Sequence, residues 1–410
     1  MTFKPLLVLA AMALLSHVNG ALASERIASA AKLTFGDAST LFIADWKNGR
    51  IHAVTVPIST AKADAPAPFN LSDIQGPIAG VLRVSRSSLR FEDMVVQPGT
   101  GLAYVAVTIQ QDKATNKPAV VTINSAGKVQ KIDLANITQK STPVTDLPGA
   151  DANFWRTLPY RSLTVTDMKF YENKLYVAGL SNQEFASTLR VYDYPFTGKP
   201  SATTVEIYHP VHDQIETRAP IRAMTIMSLS GVPTLVAAYT CTPLVTIPLT
   251  DLKAGTHITG KTVGELGWGS APTGIVTFSA GEENYALITN SSRAADLLSF
   301  SVISDAAAKP GLNTPIKWPT EPYLGAKSIM VPMSTVMRLD NLNKELLLAL
   351  RRDEASGRMQ LVSIPKGAYL RLSDFVNEYD FKDYKYPPND KWSGYHKYFR
   401  AIEGFPELSQ

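Results

Sequence analysis

Six times along the chain a run of apolar residues is closed in by turn formers. The runs are TLFIA (40–44), LAYVAV (102–107), KLYVAG (174–179), TLVAAY (234–239), NYALIT (284–289) and ELLLAL (345–350). Runs this short and this apolar suit strands buried on both faces. The segments QPGTG, YENK, SLSGVP and SAGEEN that precede four of them carry turn chemistry. Each run follows another apolar strand and precedes a third that alternates, as in Arg50-Ile51-His52-Ala53-Val54-Thr55-Val56. A weaker fourth strand is expected at AGVLRVS, GKVQKIDL, TTVEIYH, KTVGEL, TPIKW and AYLRLSDF. The unit recurs every 50 to 70 residues or so.

Six four-stranded antiparallel units in series predict an all-β chain folded as a β-propeller of six blades. Each sheet must bury two faces, and stacking around an axis does that. Residues 135–160, or the tail, leave room for a seventh blade. A β-sandwich or two small β domains are the competing arrangements. The propeller is expected over residues 24–375, with residues 24–33 adding a strand to the last blade. The aromatic-rich segment 376–410, including YDFKDYKYPPNDKWSGYHKYF, is expected to wrap over that blade's outer surface.

The first 23 residues read differently. Lys4 precedes the apolar run Leu6–Leu15, and Ala21-Leu22-Ala23 is a small-x-small cleavage pattern. Export to a periplasm or the exterior, with cleavage after Ala23, is the expectation. No later stretch is apolar enough for a membrane span. Export makes disulfides available, yet Cys241 is the only cysteine, so the core itself must stabilise the fold. A net charge of +4 with scattered Lys and Arg argues against a nucleic-acid partner.

Propeller topology gathers remote residues on one rim, here the top, where first strands begin and second strands end. Glu92, Asp93, Asp167, Arg218, Arg222, Asn290, Arg293 and Arg351 are expected around that funnel. Asp93 and Asp167 have two readings: caps for neighbouring backbone N–H groups, or a carboxylate pair that holds Ca²⁺ or acts as a base. The arginines read either as solvated loop charge or as a seat for an anionic ligand. Cys241 ends a second strand and is expected near the rim in the same blade as His209 and His212. Three readings stand for it: a small buried hydrophobe, a copper or zinc ligand with both histidines, or a reactive thiol whose pKa Arg218 or Arg222 lowers.

The LYVA-type marker strands resemble those of bacterial extracytoplasmic propellers of the NHL and YVTN type. LYVAGLSNQEFASTLRVYDYPF, ETRAPIRA, AAYTCTPLV and TNSSR also resemble an exported bacterial family with no assigned activity. The pattern is broadly similar to gluconolactonase-like propellers, which are metal-dependent hydrolases, but their full acidic and Asn ligand set is not matched. Because propellers serve most often as rigid supports for their loops and no catalytic motif is complete here, the expectation is a platform that binds a small molecule or a protein through its top-face loops. The alternative is a metal-dependent enzyme: a lactonase-like hydrolase using Asp93 and Asp167, or a copper or zinc centre using His209, His212 and Cys241. There is no CxxCH, Walker loop, GxSxG or HExxH.

Overall fold

A computed structural model describes residues 26–58, 67–110, 116–155, 157–267, 269–317, 321, 323–367 and 381–385. Each of the six apolar runs becomes the second strand of a four-stranded antiparallel sheet. The first blade starts with β1 (Leu33–Asp37), β2 (Thr40–Asp45) and β3 (Arg50–Thr55). The chain then leaves it through β4 (Asn70–Leu71) and helix α1 (Gln75–Leu82). The second blade is β5 (Leu89–Val96), β6 (Ala103–Ile109), β7 (Lys117–Ile123) and β8 (Val129–Lys131). Strand β9 (Gln139–Pro143) returns to pair with β3 and completes the first blade.

A small hairpin, β10 (Asn153–Phe154) and β11 (Leu158–Pro159), leads to the third blade. That blade is β12 (Asp167–Tyr171), β13 (Lys174–Leu180), β14 (Ser187–Asp193) and β15 (Ser201–His209), with β16 (Gln214–Glu216) folded back on β15. The fourth is β17 (Ile221–Leu229), β18 (Val232–Tyr239), β19 (Pro243–Pro248) and β20 (Thr256–Leu266). The fifth begins with β21 (Pro272–Ala280), β22 (Glu283–Asn290) and β23 (Ala295–Ser299). Helix α2 (Phe300–Ala308) and β24 (Tyr323–Gly325), which pairs with β20, precede its last strand, β25 (Ile329–Val331). The sixth is β26 (Val336–Asn341), β27 (Leu346–Arg352) and β28 (Met359–Pro365), closed by β4.

The first strands touch in the order β1, β12, β17, β21, β26, β5 and back to β1, which closes a ring. Six separate apolar clusters fill the six seams between neighbouring sheets. The molecule is a β-propeller. Its ring order differs from its chain order, because the second blade sits between the sixth and the first.

Closure differs from the sequence expectation. Residues 26–32 stay on the first blade instead of adding to the last. Asp45 at the end of β2 accepts Ala28 N at 2.8 Å and Ser29 Oγ at 2.7 Å, and Ile27 and Ala30 are buried between the first and second blades. Segment 79–85 is not a strand either, since Gly80–Leu82 belong to α1. Pro77 lies in the first turn of this helix, where its missing N–H costs nothing. Asp73 receives Gly76 N at 3.1 Å, and Ile78 and Ala79 are buried. The fifth blade takes residues 329–331 as its fourth strand in place of TPIKW. AYLRLSDF, residues 1–23 where an export signal is expected, and nearly all of tail 376–410 lie outside the described residues.

The second strands are buried on both faces as expected, but so are most of the third, while β28 stays half-buried. Polar members of the third-strand alternation are enclosed between blades. His52 Nε2 lies 3.5 Å from Asp45 Oδ2, and the fully buried Arg190 donates to the carbonyls of Thr145 and Leu180 at 3.2 and 3.1 Å. Among the described residues no helix is long and apolar enough to cross a membrane.

Phe69 anchors the borrowed strand of the last blade. Its N–H donates to Ser363 Oγ at 2.8 Å, its carbonyl accepts Ser363 N at 3.0 Å, and its ring is buried between blades six and two. The substitution Phe69→Ala is expected to lower unfolding free energy by about 3–5 kcal/mol, as for other buried aromatics. Urea denaturation measures this, and a change below about 1 kcal/mol would show that the borrowed strand is dispensable.

Candidate functional site

Strand β20 is shared between blades three and four. Its first half, Thr256–Gly260, runs parallel to β15, and its second half pairs antiparallel with β19. Gly260 sits at the changeover, where a Cβ would come within 2.6 Å of Val245 Cγ1. This shared strand ties the outer edges of blades three and four, and it brings the end of β15 to the rim loop between β18 and β19.

Three side chains meet there. His209 ends β15, and a turn closed by His212 N donating to His209 O at 3.1 Å returns the chain into β16. The turn brings the two imidazole centroids to 4.1 Å. An i, i+3 pair cannot share one face of a strand, but a turn can bring both rings together. Across the seam, Cys241 follows β18. Its candidate ligand atom and those of His209 and His212 all lie within 4.8 Å of one another. Among the described residues this is the one group of three or more His, Cys, Asp or Glu side chains so arranged. The expectation of one blade is corrected: both histidines belong to blade three's outer edge and Cys241 to blade four.

Glu216 lies behind both rings. Its Oε1 is 2.5 Å from His212 Nδ1, and its Oε2 is 2.9 Å from His209 Nδ1. Neither nitrogen of the buried His209 makes a well-aligned hydrogen bond. Glu216 engages the Nδ1 side as an ion pair, and a buried polar group left without any such partner would cost about 1–3 kcal/mol. Burial works against a proton on His209, but the Cys241 side chain and then Glu216 outweigh it and push its pKa up to about 9. The contact with His209 holds the Cys241 thiol below its usual value. Burial opposes charge on Glu216, yet the two histidines bring its pKa down to about 2.

The backbone under the thiol is strained. Cys241 and Thr242 have φ of 66° and 74°, rare for side-chain-bearing residues and unfavourable for a β-branched one. Cys241 N donates to Ser270 O at 2.8 Å, and Thr242 Oγ1 donates to Glu265 Oε1 at 2.9 Å. Glu265 is fully buried, its Oε2 has no partner, and burial raises its pKa to about 8.

The funnel residues divide into two sets. Asp93 and Asp167 line the axial channel, and Arg222 lies within electrostatic reach of Asp167. Asp93 accepts Leu33 N of the first blade at 2.8 Å and Arg338 Nε at 2.5 Å. Asp167 accepts Met168 N at 2.9 Å and Met224 N of the fourth blade at 2.8 Å. Both carboxylates therefore link neighbouring blades, and their oxygens are occupied by protein donors. The other residues are held near the rims. Glu92 accepts Arg90 Nε at 2.8 Å and Thr108 Oγ1 at 2.5 Å, and Arg218 Nε reaches Glu184 O at 3.2 Å. Asn290 and Arg293 both bond the buried Asp296, at 2.9 and 2.6 Å, and Arg351 Nε donates to Gln360 Oε1 at 3.0 Å.

Sequence reasoning missed Glu265, Lys32 and Arg338. For Arg338 a signal existed. Strands β5, β17, β21 and β26 each carry a bulge near their start. Matching those starts puts Arg338 in the same place as Asp93, hence facing the channel.

No family model and no curated protein matches the chain. Among solved structures, a mitotic checkpoint complex chain aligns over 89% of this chain and 99% of its own, at 10% identity and TM-score 0.34. A GH43 beta-xylosidase/alpha-arabinofuranosidase from a compost microbial metagenome aligns over 73% and 94%, at 10% identity and TM-score 0.35. A native arabinanase of Bacillus subtilis aligns over 66% and 92%, at 13% identity and TM-score 0.32. Likeness at this level carries no argument about activity.

The shifted pairs imply a pH signature in chelator-treated protein. His209 is raised from 6.5 to about 9, so its stabilisation is complete below pH 6.5 and is lost as pH rises through about 9. Glu216 is lowered from 4.5 to about 2, so its contribution is present above pH 4.5 and is lost as pH falls through about 2. Chemical denaturation at a series of pH values is expected to show both slopes, and Glu216→Gln to flatten them. Equal pH dependence in the variant would show that Glu216 does not govern His209.

Proposed function

We propose that this propeller is a binding protein whose rim carries a zinc or copper centre made by His209, His212 and Cys241. The convergence of two imidazoles and a thiol across one seam is the observation that carries the reading. Thiolate and imidazole together favour these metals over calcium or magnesium. Four-coordinate zinc at ordinary bond lengths needs ligand atoms roughly 3.3–3.8 Å apart. Small side-chain rotations from the present spacing would reach that. Glu216 on the Nδ1 side of both rings resembles the carboxylate–histidine arrangement that orients metal ligands. It leaves Nε2 of each ring as the metal-facing nitrogen. Three protein ligands leave a coordination position for a small molecule or a partner's side chain, which joins the centre to a platform role for the rim loops. The marker strands and the export pattern support an extracytoplasmic location and kinship with NHL- and YVTN-type propellers.

A second reading rests on the strained turn. Cys241 sits at positive φ with a lowered thiol pKa beside His209, an arrangement that also suits a nucleophilic thiol with a histidine base. One experiment separates the two. Purified chain is titrated with zinc and with copper(I) against a chromophoric chelator, and alkylation of Cys241 by iodoacetamide is followed in parallel. A metal centre gives one equivalent bound, protection of the thiol by metal, at least about a hundredfold weaker binding in Cys241→Ser and His209→Ala, and tenfold to a hundredfold in Glu216→Gln. No stoichiometric binding, with fast alkylation that His209→Ala slows, would replace the metal reading with the thiol one.

A further inference from the structure

The axial channel holds a second concentration of charge that the seam site does not use. It encloses about 260 Å³ among the first strands, with Lys32, Asp93, Asp167 and Arg338 on its wall and Phe35 and Phe170 beside them. Arg222, at the start of β17, lies within electrostatic reach of Lys32, Arg338 and Asp167.

These charges are unequally satisfied. Arg338 is fixed by Asp93 and by the carbonyls of Thr273 at 2.9 Å and Met337 at 2.6 Å. Asp93 and Asp167 are consumed by backbone amides and Arg338, as described above. The side chains of Lys32 and Arg222 form no hydrogen bond or ion pair among the described residues; both residues are half-buried, and the Arg222 guanidinium has its Nε wholly shielded from solvent. Burial, then Arg338, lowers Lys32 to about 8, and the same two causes lower Arg222. A shielded cation without a partner costs stability until an anion joins it.

The balance of charge indicates which anion. Lys32, Arg222 and Arg338 face Asp93 and Asp167, while Lys169 and Asp340 add one charge of each sign on the same wall. The surplus is a single positive charge, which a monoanion neutralises and a phosphate dianion would overshoot. A guanidinium fork matches the plane of a carboxylate. The volume lies just below the usual range for small-molecule pockets, and Phe35 and Phe170 offer an apolar wall for a short carbon body.

We propose that the axial channel binds a small organic carboxylate through Arg222 and Lys32, with Arg338 as a fixed third cation. The two unused donors thus have a task that no contact within the fold gives them.

Acetate and lactate are the probes, with chloride and inorganic phosphate at matched ionic strength as comparisons. Thermal unfolding and calorimetric titration are read for the unsubstituted chain, Arg222→Gln and Lys32→Met. Acetate and lactate are expected to raise the unfolding temperature above the chloride value, and each substitution to weaken binding about tenfold or more. Without carboxylate both variants are expected to be at least as stable as the parent, because each loses an unpaired cation. His209→Ala is expected to bind acetate normally, so failure of the metal reading leaves this one standing. The proposal is overturned if acetate acts no differently from chloride, if phosphate binds as well as acetate, or if binding survives in both variants. It is equally overturned if both variants are destabilised without ligand, since the cations would then be structural.

Discussion

A ring of sheets needs every seam filled, and this chain completes its first and sixth sheets by exchanging strands. The first blade lends nothing to its own outer edge. Residues 70–71 close the sixth blade, and residues 139–143 come back to close the first. The second blade is held between them, so the seam on either side of it is buried by segments from both ends of the described chain. An open edge would expose unpaired backbone N–H and C=O groups. Exchange gives β3 and β28 their outer partners.

The outer edges of blades three and four obey the same constraint in another way. Sheets radiating from an axis diverge outward, and β20 bridges the divergence by pairing with both neighbours along its length. Seam chemistry follows from that bridge. His209 and Cys241 belong to different blades, and the shared strand joins those blades where their ends come to ligand spacing. The strain at Cys241 and Thr242 is offset by fixed partners on either side, Ser270 and Glu265. Across the axis a different solution applies, in which carboxylates of one first strand accept the amides of the next.

Much of this was legible beforehand. Second strands declared themselves because burial on both faces removes polar residues from the run, and Val177, Val236 and Leu348 sit where their pattern placed them. Strand-end logic also placed His209, His212 and Cys241 on one rim. Exchange of outer strands was not legible, since Asn70–Leu71 is too short to show any period. Helix α1 was hidden because Val81, Arg83 and Val84 imitate strand alternation, while Pro77 is as compatible with a loop as with a first turn. Third-strand polarity misled for a physical reason: between stacked blades a polar residue such as Arg190 can be enclosed if carbonyls receive it. Glu265 left no trace, because a buried acid within β20 reads like any exposed member of an alternating strand.

The exchanged strands also set an order of events at the ribosome. Phe69 must wait for Ser363, 294 residues later in synthesis, before its edge is covered. Strict blade by blade maturation is therefore closed to this chain, and Phe69 with β4 is secured only when β28 arrives. Contacts this distant in sequence slow folding and leave apolar strands uncovered in the interval. An incomplete chain thus carries an unpaired β4 and an open face on its second blade until the sixth sheet arrives.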